Sequence, residues 1–198
     1  MRDQPLEPLT ALEPSKAVYY LPGAGGALTT GLGRALIDRR YQVSGRETRG
    51  EFLALDFQHK LDLIAADLLA HFWRTDAPVI CNSFGAYLFL HAQAALPPFP
   101  GRLLLLSPIV GHFIEESSMR GYVPPRANRL RELADAGHYP APLNAEIHVG
   151  ADDWQSGPEA VSAFGRATGL PVRVIPGRGH DLGPDVVGPL LDAWLVQR

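Results

Sequence analysis

Val79-Ile80-Cys81-Asn82-Ser83-Phe84-Gly85-Ala86-Tyr87 is the stretch whose reading decides the fold. A β-branched pair after Pro78 runs into a small residue, then a serine, then Gly85 and a helix-forming run. That order predicts a buried strand turning sharply into a helix with Ser83 at the apex. In so tight a turn the residues two before and two after the serine must be small, so that strand and helix can approach. Gly85 meets the second requirement, and Cys81 stands where glycine is usual, which makes the pattern Cys-x-Ser-x-Gly.

Outward from this turn, short apolar runs alternate with amphipathic stretches. Strands are expected at 17–21, 41–46, 79–82, 103–106, 146–149 and 172–175. The helix at 56–73 is the clearest, with Leu61, Ile64, Ala65, Leu68 and Phe72 on one face. Others are expected around Leu28 to Leu36, at 84–95 before Pro97 and Pro98, at 126–136, at 158–168 and around Val187 to Trp194. Strand alternating with helix implies an α/β three-layer sandwich on a mostly parallel six-stranded sheet. Residues 1–15, with three prolines among polar residues, read as an extended arm. Residues 16–198 read as a single domain, with 111–144 as a small lid.

Composition narrows the function. A net charge of −3 without a basic stripe argues against nucleic acid and anionic membranes as partners. The longest apolar run, at 103–106, is too short to span a bilayer. One cysteine can make no internal disulfide, and the first residues lack the apolar core of a signal peptide, so a cytoplasmic protein is expected. Scattered histidines and a single thiol offer no metal-ligand spacing, and no cofactor is expected. A homodimer is compatible with the sequence.

In an open parallel sheet, ligands bind beyond the carboxyl ends of the strands. Ser83 follows the third strand, Asp152 and Asp153 the fifth, and His180 the sixth, while Pro22-Gly23-Ala24-Gly25-Gly26 follows the first. A serine hydroxyl is a poor nucleophile at neutral pH; it needs a base within reach, and the base needs a carboxylate to orient it. Serine, aspartate and histidine in that chain order on those strands resemble the α/β-hydrolases. The resemblance runs from Ala17 onward and implies a compact version lacking the family's first two strands.

The resemblance implies that Ser83 is the nucleophile and His180 the general base. The acid, three residues after the glycine closing its strand, would be Asp153, with Asp152 the second candidate and Glu115 or Glu116 remote ones. The oxyanion donors would be the Phe84 and Ala24 N–H groups, with Pro22-Gly23 in place of the family's frequent His-Gly. Gly23, Leu28, Phe84, His112 and Trp154 are candidate walls of the substrate site, and Phe113 and Tyr122 are further candidates to line it, each of these aromatic and histidine side chains having core or lid packing as its other reading. The expected activity is cleavage of a small-molecule carboxylic ester or thioester through an acyl-enzyme. Two other readings compete with it. A binding or scaffold protein could keep the fold with little turnover. The glycine turn could instead serve a dinucleotide, with Glu47 on a ribose, although Leu28 occupies the place of that fingerprint's third glycine. Cys81, at the buried end of a strand, is expected to serve packing.

Overall fold

A computed structural model of the protein describes residues 16–111 and 123–196. Six strands form one sheet: β1 (Ala17–Leu21), β2 (Gln42–Gly45), β3 (Pro78–Asn82), β4 (Arg102–Leu106), β5 (Asn144–Gly150) and β6 (Val172–Ile175). Their spatial order is β2-β1-β3-β4-β5-β6, and every pairing is parallel. The helices are α1 (Gly31–Asp38), α2 (Gly50–Ala54), α3 (Phe57–Asp67), α4 (Phe84–Gln93), α5 (Arg129–Asp135), α6 (Pro158–Thr168) and α7 (Pro184–Val196).

Side chains alternate across a strand, so each run feeds two cores. Tyr19, Val79, Cys81, Leu103, Leu105 and Ile147 face the core shared with α3, α4, α5 and α6. Val18, Tyr20, Ile80, Leu104 and Leu106 face the smaller core under α1 and α7. A sheet covered on both faces explains why its central strands read as unbroken apolar runs. The chain steps outward from β1 to β2, then returns past β1 to β3. With one crossover hand throughout, that reversal moves the connecting helices from one face to the other. The reversal also opens a crevice between the carboxyl ends of β1 and β3, the place where such sheets bind ligands.

Polar and aromatic contacts tie the sheet to the segments around it. Arg46, just past β2, forks onto Asp67 with two contacts of 2.7 Å, and Tyr19 donates its hydroxyl to the same carboxylate at 2.9 Å. Leu191 and Trp194 seat α7 on the sheet, and Arg102 both stacks on the Trp194 ring, 4.3 Å from its centroid, and donates to the Trp194 carbonyl.

The expected strands and helices are found with modest changes of boundary. The helix expected over 56–73 is α3, capped by the Asp56 carboxylate on the His59 N–H at 2.9 Å, followed by a π-helical turn (Leu68–Phe72) that keeps Leu68 and Phe72 buried. Helix α2 was not expected; at five residues it is too short to carry a helical period. Of the segment 111–144, residues 123–144 pack on α3, α4 and α6. Tyr87 donates to the Pro125 carbonyl at 2.6 Å, Tyr139 to the Leu90 carbonyl at 3.2 Å, and the Tyr139 ring meets Phe164 edge-on. The arm at 1–15 and residues 112–122 lie outside the described residues. Among the described residues no helix is long and apolar enough to cross a membrane.

Candidate active site

Ser83 sits at φ 52°, ψ −117°, a conformation an L-residue holds only under constraint. Two close approaches impose it. The Ser83 N–H donates to the Leu106 carbonyl at 3.0 Å, which keeps the turn registered on β4. A β-carbon on Gly85 would overlap the carbonyl oxygens of Leu21 and Pro22, so α4 lies against the end of β1 only because that residue is glycine. Cys81 is fully buried in the larger core, where burial pushes its thiol well above the ordinary value; a small apolar side chain is what the site takes.

A serine at a helix N-terminus ordinarily turns its hydroxyl back to cap the helix. Ser83 makes no such bond; its Oγ lies 2.7 Å from His180 Nε2. His180 Nδ1 in turn lies 3.0 Å from both oxygens of Asp153. Asp153 is 1% exposed. Burial by itself raises its pKa, but hydrogen bonds from His180 and from the Ser156 N–H outweigh it, and the carboxyl is held below its ordinary range. Ionised, it can only accept, so Nδ1 carries the imidazole proton and Nε2 is left as the acceptor for the Ser83 hydroxyl. The Ser156 hydroxyl, 3.4 Å from Nδ1, already donates to the Ser107 carbonyl at 2.8 Å.

The arrangement is built by backbone as much as by side chains. Asp153 Oδ1 accepts from the Gln155 and Ser156 N–H groups at 3.0 and 2.9 Å, an Asx turn that fixes the carboxylate. The loop carrying His180 lies directly over the end of β5. There the Asp152 N–H donates to the Arg178 carbonyl at 2.8 Å, and a β-carbon on Gly150 would overlap the carbonyl oxygens of Arg178 and Gly179. Of the two adjacent aspartates, Asp153 turns inward to His180 while the Asp152 side chain is exposed. The turn role and the histidine contact fall on one carboxylate.

The other expected residues divide. A β-carbon on Gly23 would stand 3.3 Å from Ser83 Cβ and 3.7 Å from its Oγ, so the first loop touches the serine. Phe84 opens α4, where the first N–H groups have no partner within the helix; its ring stacks on Tyr87. Ala24 lies exposed in the first loop, and Trp154 is half-buried beside Asp153. Leu28 packs with the smaller core, its N–H donated to Glu47 at 3.0 Å. His112, Phe113, Tyr122, Glu115 and Glu116 lie outside the described residues. Glu47, imagined on a ribose, is engaged otherwise: its second oxygen meets Arg49 at 2.7 Å, and that bond holds its carboxyl below the ordinary value. The strand order also differs from the 3-2-1-4-5-6 of dinucleotide-binding sheets. Among the described residues no three His, Cys, Asp or Glu side chains are placed to share a metal ion.

Sequence reasoning missed two residues. Ser156 binds the acid's loop, and Thr48, fully buried, binds the first loop. The weakly marked β2 hid Thr48, whereas Asp153 with Ser156 three residues on was a readable turn signal.

Solved structures of similar shape cover most of the chain. The ydeN gene product of B. subtilis superimposes with a TM-score of 0.63 at 11% identity, over 92% of this chain and 100% of that one. A monoacylglycerol lipase of Paleococcus ferrophilus gives 0.62 at 13%, over 93% and 95%. A carboxylesterase structure from Nitrososphaera gargenis gives 0.58 at 12%, over 89% of each chain. The fold is that of the α/β-hydrolases. No protein-family model matches the sequence, and no curated protein matches it. At these identities the α/β-hydrolase likeness is one of architecture, and the chemistry has to be argued from the side chains.

Proposed function

We propose that the protein is a serine hydrolase that cleaves a small carboxylic ester or thioester through an acyl-enzyme on Ser83. The observation that carries this reading is the unbroken chain from Ser83 Oγ through His180 to Asp153, at 2.7 and 3.0 Å, on a strained turn whose hydroxyl declines its capping role. Carboxylesterase and lipase structures among those of similar shape agree with it.

Ser83 Oγ attacks the acyl carbonyl carbon as its proton passes to His180 Nε2, and the carbonyl electron pair moves onto oxygen. The Phe84 and Ala24 N–H groups are the donors proposed for that oxyanion. As the C=O re-forms, the C–O or C–S bond breaks and the His180 proton leaves with the alcohol or thiol. Water, deprotonated by His180, then attacks the acyl-enzyme and releases the acid, returning the proton to Ser83. Asp153 stays ionised throughout, orienting the ring and stabilising the imidazolium.

A fluorophosphonate probe tests the reading, since the oxygen of an activated serine bonds to its phosphorus and displaces fluoride. Labelling of the folded wild type at Ser83, absent in Ser83→Ala, is expected. Turnover of p-nitrophenyl acetate should fall about 10⁴-fold or more in Ser83→Ala and in His180→Gln. An unlabelled wild type, or Ser83→Ala labelled equally, overturns the assignment.

A further inference from the structure

We infer that Thr48 is a positioning residue of this site: its hydroxyl sets the direction of the Ala24 N–H by holding the Gly23 carbonyl. Thr48 is 0% exposed, and a buried hydroxyl requires partners. It has two, both in the first loop. Oγ1 donates to the Gly23 carbonyl and accepts from the Gly26 N–H at 3.2 Å. Its main chain grips the same turn, the Thr48 N–H donating to the Gly26 carbonyl at 3.2 Å and the Thr48 carbonyl accepting from the Gly25 N–H at 2.8 Å. The two residues leading into Thr48 are themselves anchored, Arg46 on Asp67 and Glu47 on the Leu28 N–H.

The Gly23 carbonyl also accepts from the Gly26 N–H at 2.9 Å, closing a turn with Gly25 at φ 75°, the left-handed position a type II turn gives to glycine. In a trans peptide the C=O and the following N–H point in opposite directions. Drawing the Gly23 oxygen toward Thr48 and Gly26 therefore turns the Ala24 N–H away from them. Gly23 itself lies against Ser83, so the orientation of this one peptide decides what the loop presents to the serine. Gly23-Ala24-Gly25-Gly26 has little stiffness of its own, and Pro22 supplies no donor to hold it. A donor aimed at a developing charge acts only when it is held in advance.

The inference rests on the hydrolase reading, and its test separates the two. Thr48→Val keeps the shape and removes the hydroxyl, and Thr48→Ser keeps the hydroxyl. With p-nitrophenyl acetate, kcat of Thr48→Val should fall about 10- to 100-fold with KM within about threefold of wild type, and Thr48→Ser should stay within about threefold in both. Should Thr48→Val not fold, Thr48→Ala against Thr48→Ser gives the same contrast. Unchanged kcat on loss of the hydroxyl, or an equal fall in Thr48→Ser, overturns the role of Thr48 while leaving the hydrolase reading intact. Absence of Ser83-dependent turnover in the wild type overturns both.

Discussion

Helix α4 has a histidine at each end, and the two live under opposite rules. His180 stands over its N-terminus, with its side chain 20% exposed and a partner on each ring nitrogen. His91, toward its C-terminus, is 4% exposed and wedged edge-on between the rings of Phe57 and Tyr87, at 5.3 and 4.3 Å. Its Nε2 has no partner among the described residues. Burial, with the Arg126 and Arg129 charges adding to it, pushes its pKa down to about 4. A histidine becomes useful for moving protons through what its nitrogens face, since burial without partners fixes it in the neutral form.

The placement of His180 is most sensitive to Gly150. Alanine there drives a β-carbon into the carbonyls of Arg178 and Gly179 and lifts the loop that carries His180. A displacement of about 1 Å at the base is expected to lower kcat for p-nitrophenyl acetate about 10²-fold, with the chain still folded. Wild-type kinetics in a folded Gly150→Ala would mean that the loop has slack and that the 2.7 Å contact is not what positions the base.

The buried end is sharpened by pH. Because the folded pKa of His91 lies below the value of about 6.5 in an unfolded chain, the unfolded state binds more protons between about pH 6.5 and 4, and stability falls as the pH drops through that window. Between pH 7 and pH 5 this one group accounts for about 2 kcal/mol of lost stability. His91→Phe should flatten the dependence by that amount in urea unfolding at the two pH values. An unchanged slope would show that the ring titrates freely in the native state. His148, whose pKa burial also lowers, contributes in the same direction and remains in both proteins.

The same contrast shows how far the sequence can be read. Ser83, Asp153 and His180 could be singled out because they follow strand ends in the chain order that the α/β-hydrolases use, and the parallel sheet followed from unbroken runs such as Leu103-Leu104-Leu105-Leu106. His91 looked like any helical residue, because its isolation depends on Phe57 and Tyr87, which three-dimensional packing brings to it. Thr48 was invisible for a related reason: its partners lie more than twenty residues earlier, in a loop whose glycines advertise freedom rather than what restrains it. That Asp153 rather than Asp152 meets His180 depends on a turn that buries one carboxylate and exposes its neighbour, which residue type alone does not reveal.

Ser156 allows the finest division, because it serves the rim twice, once by backbone and once by side chain. Its N–H bond to Asp153 survives any substitution that keeps the turn, whereas its hydroxyl bond to the Ser107 carbonyl does not. Ser156→Ala should therefore cost about 1 kcal/mol in unfolding, the ordinary value of one buried hydrogen bond, and leave kcat and KM for p-nitrophenyl acetate within about threefold of wild type. The carboxylate keeps both main-chain donors and the imidazole, and the hydroxyl contact of 3.4 Å to Nδ1 is too long to decide the tautomer. A kcat loss of tenfold or more would move the orienting role from the backbone to the Ser156 side chain. The acid's placement would then depend on the bridge to Ser107, a residue at φ 44° and thus held under strain at the end of β4.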